Sequence, residues 1–186
     1  MDLIRVFIAI DVDDNILNSL VKVQEEMASL NCDIKFVERE NIHLTLKFLG
    51  EIPLSKVNEV CNVMNNINFP RFILEVKGLG VFPNLNRPRV IWAGVSEGYQ
   101  KVLEIFKFLD FNLRKLNFKS EIEEFTPHIT IGRFRSSRNI NTFVDFIKNY
   151  RNIVFGRFNV TSVRLKKSVL TPKGPIYSNL HEVMLV

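Results

Sequence analysis

The chain has 186 residues, of which 46% are hydrophobic and 24% are charged, so it is long enough to bury the core of one compact domain. Eight glycines and seven prolines are too few for a disordered or linker-like chain. A formal net charge of +5 favours polyanions such as nucleic acid, although many basic proteins of this size bind none. We expect a single domain over residues 1–186.

The cysteines and the N-terminal segment indicate the cellular compartment in which the protein is expected. Cys32 and Cys61 lie far apart and lack metal-ligand spacing, so we expect two free thiols in a reducing compartment. The apolar run over residues 3–10 is interrupted by Arg5 and followed by aspartates, which is typical of a strand rather than a signal sequence. No apolar segment of the sequence approaches the length that a membrane-spanning helix needs. We expect a cytoplasmic monomer with no membrane partner.

The first half of the chain alternates short apolar runs with amphipathic segments. A strand is predicted over residues 3–12, and Asp13 or Asp14 can cap the helix that follows it. Strands are predicted over residues 34–37 and 42–48, the second ending at Gly50, before a helix that Pro53 and Ser55 open. The apolar stripes of the two helices are Ile16, Leu17, Leu20, Val23, Met27 and Leu30, and Val57, Val60, Cys61 and Met64.

The second half repeats this mixture of strands and helices. Strands are predicted over residues 72–82, 89–95, 128–134, 153–160, 163–170 and 176–185, and helices over residues 97–116 and 142–150. Both halves place helices among strands and contain one histidine-bearing strand. The pattern predicts an α+β fold of two similar lobes, each a small sheet covered by helices on one side. Outside the histidine motifs, no residue-by-residue repeat is visible.

Two histidines stand in the same four-residue pattern, at residues 43–46 (HLTL) and 128–131 (HITI). Residues two apart in a strand point to the same face, so each histidine shares a face with its threonine. The apolar positions point to the opposite face, where helices can cover them. The residues predicted on these buried faces are Ile42, Leu44, Leu46 and Phe48, and Ile129 and Ile131.

Paired imidazoles suit the cleavage of a phosphodiester. An imidazole titrates near neutral pH, so His43 and His128 can supply one general acid and one general base together. The attacking oxygen must lose a proton while the leaving oxygen gains one. The hydroxyls of Thr45 and Thr130 can donate to the non-bridging phosphate oxygens, and Arg133 can add charge-assisted hydrogen bonds there.

Other interpretations of these histidines differ in strength. Two of three histidines carry a threonine two positions on by chance roughly 0.3% of the time, so the pair is informative where one motif is not. His181 has no such partner, and we expect it to be a buried, hydrogen-bonded structural residue. A metal site is disfavoured because neither motif brings a second ligand at ligand spacing. Three nearby acids, Glu121, Glu123 and Glu124, are predicted to form a solvated loop.

The sequence resembles the two-histidine (2H) phosphoesterases, specifically the RNA 2',3'-cyclic phosphodiesterase branch, also called the 2'-5' RNA ligase family. The resemblance rests on residues 41–50 (NIHLTLKFLG) and 126–133 (TPHITIGR). It extends to residues 5–10, 81–83, 88–94, 167–170 and 174–177. Phe36 stands where these proteins often carry tryptophan, and Gly132 where alanine is common. Arg5 and Phe7 share a strand face, and we favour a rim arginine and a core phenylalanine over contacts with the cleft.

The resemblance implies a bilobal α+β fold with two pseudo-symmetric lobes, each a small antiparallel sheet covered by helices, and a central cleft where both motifs meet. It also implies hydrolysis of RNA 2',3'-cyclic phosphate ends to 2'-phosphate ends without metal or cofactor, with reversible 2'-5' ligation as a further activity. By motif, His43 would protonate the leaving oxygen and His128 would activate water. Thr45, Thr130 and Arg133 would bind the substrate phosphate.

Two alternatives stay open at the level of sequence. The same chemistry could serve another substrate, such as a cyclic phosphate of ADP-ribose or a 2'-5' linked oligonucleotide. A non-catalytic module could instead grip an RNA end or its phosphate without cleaving it. Arginine and lysine serve simple phosphate binding better than histidines that are often neutral, so the enzyme is favoured.

Overall fold

The structure is a computed structural model that describes residues 2–121 and 125–186. Within these residues the chain forms nine strands and four α-helices, with a short 3₁₀ turn at Arg39–Asn41. In chain order they are β1 (Leu3–Asp11), α1 (Asp14–Ala28), β2 (Ile34–Phe36), β3 (His43–Pro53), α2 (Leu54–Met64), β4 (Phe72–Phe82), β5 (Val90–Val95), α3 (Tyr99–Arg114), β6 (His128–Phe134), α4 (Ile140–Lys148), β7 (Val154–Val160), β8 (Ser162–Thr171) and β9 (Gly174–Met184).

The strands form one antiparallel sheet made of two halves. Its order is β7-β4-β5-β6-β3-β1-β8-β9, and β2 pairs with β6. The histidine-bearing strands β3 and β6 are neighbours at the centre, where Leu44 pairs with Ile129. Helices α2 and α3 pack against β3, and α1 packs against β6 and β7. The predicted bilobal α+β architecture is confirmed, with the difference that the two small sheets join into one.

Most predicted elements are confirmed to within a few residues at their ends. Asp13 caps α1, and its carboxylate accepts a hydrogen bond from the Asn15 backbone N–H at 2.7 Å. The largest difference concerns β3, which continues past Gly50 to Pro53. Gly50 adopts a φ of 74°, and the register with β1 shifts beside it. The glycine therefore marks a β-bulge within the strand rather than its end.

The buried face predicted for the first motif strand is wrong at Phe48. Ala9 of β1 pairs with Thr45 and Ile8 pairs with Lys47, so Leu46 is the extra residue of a β-bulge. Beyond the bulge the alternation of faces is reversed. Lys47 consequently points into the core and is only 2% exposed, whereas Phe48 is 63% exposed.

The second motif contains a β-bulge at the same place. Trp92 of β5 pairs with Thr130 and Ile91 pairs with Gly132, so the extra residue is Ile131. Gly132 is buried and Arg133 is exposed, as Lys47 and Phe48 are in the first motif strand. The two motif strands therefore correspond position by position beyond the four motif residues, and Phe48 and Arg133 occupy equivalent places in the two lobes.

Two further expectations concern the cysteines and membrane insertion. Cys32 and Cys61 are both free, as predicted, and each is half-buried. Within residues 2–121 and 125–186, every helix is too short or too polar to cross a membrane.

Candidate active site

The sheet carries one cleft in which both motifs meet. It has a volume of about 450 Å³, and the five predicted site residues line it: His43, Thr45, His128, Thr130 and Arg133. Because Leu44 pairs with Ile129, extending the antiparallel register by one residue places His43 opposite Thr130 and Thr45 opposite His128. Each imidazole is thus next to its own threonine and across from the threonine of the other motif.

Each imidazole is held by the backbone two residues before it. The Nδ1 of His43 lies 2.6 Å from the Asn41 carbonyl oxygen, and the Nδ1 of His128 lies 2.6 Å from the Thr126 carbonyl oxygen. A carbonyl only accepts, so Nδ1 carries the proton in both rings and a neutral ring keeps its lone pair on Nε2. The Thr45 hydroxyl lies 2.8 Å from the His43 Nε2 and donates to it. In both rings Nε2 is therefore the nitrogen that can accept a proton.

Aromatic rings pack against both histidines. The ring of Phe7 lies 4.9 Å from that of His43, and the ring of Tyr177 meets His43 edge-on at 5.5 Å. In the other lobe, Phe82 meets His128 edge-on at 4.9 Å. Phe7 is buried, as favoured from the sequence, while exposed Arg5 is outside the cleft lining. Phe7 thus combines a core position with direct contact to the first histidine.

Burial lowers the pKa of both imidazoles. For His43 it lowers the pKa to about 4, opposed by the Asn41 carbonyl and assisted by the positive charge of Lys166. For His128 burial also lowers the pKa, opposed by the Thr126 carbonyl and assisted by the positive charge of Arg133. Both imidazoles are therefore largely neutral at pH 7 in the protein alone.

The charged surroundings of the two histidines differ. Asp11 pairs with His43 across β1 and β3, whereas Gly94 takes the equivalent place beside His128. The Asp11 carboxylate contacts both Arg164 and the buried Lys166. Burial raises the pKa of Asp11, but these two cations together outweigh it and hold the pKa below its ordinary value. A cluster of charged side chains therefore lies beside the first histidine. At the equivalent place in the second lobe, Gly94 has no side chain.

The Asn41 side chain joins the first motif to the β8–β9 hairpin. Its Nδ2 donates to the Pro175 carbonyl oxygen at 2.9 Å, and the residue is buried. The same hairpin carries Tyr177, which packs on His43. Asn41 thus holds the imidazole through its backbone and the adjoining wall of the cleft through its amide. The sequence placed Asn41 in the motif but gave no sign of this second contact, which spans 134 residues.

A buried ion pair holds the segment that precedes the second motif. The Lys47 ammonium lies 3.0 Å from an Asp110 carboxylate oxygen and donates to the Lys119 carbonyl oxygen at 2.7 Å. Asp110 also accepts hydrogen bonds from the Ser120 hydroxyl and the Glu121 backbone N–H.

Glu121 lies in a loop, as predicted for the three acids, but it is tied to the core and is not fully solvated. Its carboxylate reaches Lys47 at 3.4 Å, and its backbone is anchored to α3 by the Asp110 carboxylate. Glu123 and Glu124 lie outside the described residues.

His181 lies on β9, away from the residues that line the cleft. Its Nε2 lies 2.7 Å from the Asn65 side-chain oxygen, and the residue is half-buried rather than buried. The predicted hydrogen bond is confirmed and the predicted degree of burial is not.

Known proteins are similar to this chain along nearly its whole length. A family model described as LigT like Phosphoesterase matches residues 10–92 and 94–177, and each segment contains one motif. An RNA 2',3'-cyclic phosphodiesterase of Methanocaldococcus jannaschii is 40% identical over 96% of this chain and 99% of its own. A protein of the same name from Aquifex aeolicus is 36% identical over 100% of this chain and 99% of its own.

Solved structures share the fold. The protein TT0787 of Thermus thermophilus superposes with a TM-score of 0.81 at 25% identity, covering 97% of both chains. LigT of E. coli in its apo form has a TM-score of 0.79 at 22% identity over 100% of this chain and 99% of its own, and this likeness concerns the fold alone. With the family model matched over nearly all of the sequence, the chain belongs to the LigT-like phosphoesterases of the two-histidine (2H) superfamily.

Proposed function

We propose that this protein is an RNA 2',3'-cyclic phosphodiesterase that opens the cyclic phosphate to leave a 2'-phosphate. The observation that carries the proposal is the arrangement of His43 and His128 in one cleft, each with Nδ1 bound to a backbone carbonyl, so that Nε2 is the nitrogen available for proton transfer; the Nε2 of His43 also accepts from the Thr45 hydroxyl. The names of the relatives at 36% and 40% identity support the choice of substrate. Their sequences align with nearly the whole of this chain.

In the proposed reaction, His128 removes a proton from a water molecule whose oxygen attacks phosphorus. The bond from phosphorus to the 3' oxygen breaks, and His43 gives its proton to that oxygen, which becomes a 3'-hydroxyl. The 2' oxygen keeps the phosphate. When His43 is protonated, the Thr45 hydroxyl no longer donates to its Nε2 and can donate to a non-bridging oxygen. Thr130 donates to the phosphate from the neighbouring strand, and Arg133 adds a charge-assisted hydrogen bond.

This division of roles follows the resemblance of the motifs, and the charges beside the two imidazoles are unequal. Lys166 disfavours the protonated form of His43 and Asp11 favours it, whereas Arg133 disfavours the protonated form of His128. Burial lowers the pKa of His43 to about 4. An anionic phosphate about 4 Å away contributes roughly 4 kcal/mol toward the imidazolium at an effective dielectric constant near 20. Substrate binding therefore raises the pKa of His43 and favours the protonated form that the reaction needs as its proton donor.

We further propose that the reaction needs no metal and that an RNA 5'-hydroxyl can take the place of water. Its oxygen then attacks the cyclic phosphate, the bond from phosphorus to the 3' oxygen breaks, and a 2'-5' link forms reversibly. Two imidazoles supply both proton transfers, and the strained five-membered ring assists departure of the leaving group. Because each half supplies one histidine, we take residues 1–186 as one domain and the monomer as the functional unit.

The proposal is tested with a nucleoside 2',3'-cyclic phosphate in excess chelator, with the product identified by chromatography. We expect turnover to the 2'-monophosphate, with His43→Ala and His128→Ala each losing roughly a thousandfold or more in kcat. His181→Ala serves as the matched control, because that histidine is bound to Asn65 outside the cleft lining, and it should retain full activity. Turnover that survives loss of both motif histidines, or that stops with chelator alone, contradicts the proposal.

A further inference from the structure

Lys35 and Arg133 bring two positive charges together in the cleft. They are paired directly across β2 and β6, and both residues are exposed and line the cleft. Their neighbours Ile34 and Phe36 lie on the other face of β2, where they would contact a side chain added at Gly132. The ammonium and the guanidinium therefore share one face of the sheet, and that face forms the cleft.

Buried hydrogen bonds hold the strand of Lys35 in this place. β2 has only three residues, but the buried side-chain amide of Gln24 donates to the carbonyl oxygens of both Val37 and Ile131, at 2.9 and 2.8 Å. The backbone N–H of Val37 donates to the same Ile131 carbonyl at 3.0 Å. Val37 directly follows β2 and Ile131 lies in β6, so these bonds fasten the strand of the lysine to the strand of the arginine.

The two cations lack a partner of opposite charge in the described residues. The salt bridges among residues 2–121 and 125–186 all join other groups. Two carboxylates, those of Glu38 and Glu121, also line the cleft, and Glu121 is bound to Lys47. Like charges placed directly opposite each other on paired strands are destabilising. The pair therefore suits an anion that enters the cleft with the substrate.

The pair lies at one end of the cleft, beyond the place of the reacting phosphate. Three residues of β6 separate the backbones of Thr130 and Arg133 by roughly 10 Å, and the backbone of Lys35 lies about 5 Å further across the sheet. The guanidinium of Arg133 can reach back to a phosphate held at Thr130, which leaves the ammonium of Lys35 for another anion. In a bound RNA strand, the next anion is the phosphate on the 5' side of the terminal nucleotide.

On the basis of the proposed function, we infer that Lys35, beside Arg133, binds the phosphate that joins the terminal cyclic nucleotide to the nucleotide before it. The protein then prefers an RNA end to a free cyclic mononucleotide, because only the RNA end carries this second phosphate. The contact is made to the RNA backbone, so it is independent of base sequence. A cyclic mononucleotide keeps its contacts with the histidines, the threonines and Arg133.

The test compares adenosine 2',3'-cyclic phosphate with two dinucleotides that end in it, one joined by a phosphodiester and one by an uncharged methylphosphonate. Lys35→Met removes the charge and keeps a side chain of similar length. We expect it to raise KM for the phosphodiester dinucleotide about fivefold, as loss of one exposed ion pair implies, with kcat within a factor of about two. KM for the mononucleotide and for the methylphosphonate should stay within about twofold of wild type, since neither carries the second charge. Lys35→Arg keeps the charge and should keep the preference for the phosphodiester dinucleotide.

Salt dependence gives a second measure of the same contact. The logarithm of kcat/KM for the phosphodiester dinucleotide should fall with the logarithm of the salt concentration. Lys35→Met should make this slope shallower by roughly 0.7, the value for one phosphate contact on a single strand. Lys22→Met is the matched control, because Lys22 is exposed on α1 and lies outside the cleft lining. It removes the same charge and should change neither KM nor the slope.

Three outcomes contradict the inference. Lys35→Met could leave KM for the phosphodiester dinucleotide unchanged, or it could raise KM equally for all three substrates, which would indicate a contact with the reacting phosphate or a structural effect on the cleft. Wild-type protein that hydrolyses none of the three substrates contradicts the proposed function itself, and the inference with it. Thermal melting of Lys35→Met and Lys35→Arg alongside the kinetics separates a folding defect from a lost phosphate contact.

Discussion

Leu44 of β3 pairs with Ile129 of β6, and each of these residues stands between the histidine and the threonine of its motif. The two halves of the sheet are therefore joined at the centre of the candidate site. The register sets each threonine across from the histidine of the other motif. A substrate phosphate at this position can receive hydroxyl hydrogen bonds from both strands while both imidazoles flank it.

This register predicts that both threonines bind the phosphate. Thr45→Val and Thr130→Val each remove one hydroxyl donor to an anionic group, which corresponds to a loss of roughly 10- to 100-fold in kcat/KM. Thr45→Ser and Thr130→Ser keep the hydroxyl and should retain most activity. Thr142→Val, at an exposed position on α4, is the control. Steady-state kinetics on a cyclic nucleotide measures kcat/KM for each variant. If a valine variant keeps the wild-type kcat/KM, the threonine it replaces does not bind the phosphate.

The lowered imidazole pKa values predict a displaced pH profile. One imidazole must be protonated and the other neutral, and both pKa values lie below the ordinary 6.5 in the free protein. Since kcat/KM reports the free enzyme, it should fall about tenfold per pH unit above about pH 6.5. The bound phosphate favours the imidazolium, so the fall in kcat should begin at higher pH. If kcat and kcat/KM begin to fall at the same alkaline pH, the bound phosphate does not raise the pKa of the proton donor.

A charge substitution tests the same account independently. Lys166 lowers the pKa of His43, so Lys166→Met should raise that pKa and move the alkaline fall of kcat/KM to higher pH. Asp11, Tyr177 and His128 also face His43 from their own strands and remain in this variant. Lys167→Met removes an equal charge from the next residue of β8, whose side chain points to the other face, and should leave the profile unchanged.

The double attachment of Asn41 predicts a positioning role. Asn41→Ala leaves the Pro175 carbonyl without its donor, which costs about 1–3 kcal/mol of stability, and loosens the hairpin wall that packs on His43. We expect kcat to fall at least about tenfold, with recovery in Asn41→Gln limited by its longer side chain. Asn41→Asp adds a negative charge near His43, raises its pKa and should shift the alkaline limb of kcat/KM to higher pH.

A control separates this effect from a general loss of stability. Asn65→Ala also removes the partner of a histidine, His181, but does so outside the cleft lining. It should leave both kcat and the pH profile intact. If Asn41→Ala keeps wild-type kcat and pH profile and only lowers the melting temperature, Asn41 is structural and not a positioning residue.

The buried pair of Lys47 and Asp110 predicts a non-additive effect on stability. Lys47→Met leaves the Asp110 carboxylate buried without its cation and should lower the free energy of unfolding by about 3–5 kcal/mol. Lys47→Met with Asp110→Asn removes both charges, keeps an acceptor for Ser120, and should recover part of that loss. Lys56→Met breaks a more exposed pair with Glu59 and should change stability by less than about 1 kcal/mol. Urea unfolding measures all of these, and equal losses for Lys47→Met and Lys56→Met would contradict the assignment.

Local periodicity predicted much of the site. Alternation along a strand is a property of a few residues, so the shared face of His43 and Thr45, and that of His128 and Thr130, could be read from the motifs. The bulges could not, because a bulge depends on the partner strand as well as on the strand that contains it. The sequence therefore assigned Phe48 to the core.

Contacts between residues far apart in the sequence could not be predicted from it either. The amide of Asn41 meets the Pro175 carbonyl across 134 residues, and Lys47 meets Asp110 across 63. Neither pair has a spacing that a helix or strand pattern would reveal. Only the three-dimensional arrangement of the two lobes brings these residues together beside the motifs.

The most direct test of the central claim compares His43→Ala, His128→Ala and the double variant under single-turnover conditions on one cyclic nucleotide. If the two imidazoles act on the same phosphorus as one unit, each single variant should lose nearly all of the rate and the double variant should lose little more. If the losses multiply, so that the double variant is slower by the product of the two factors, the histidines act independently and the account of a shared site is wrong.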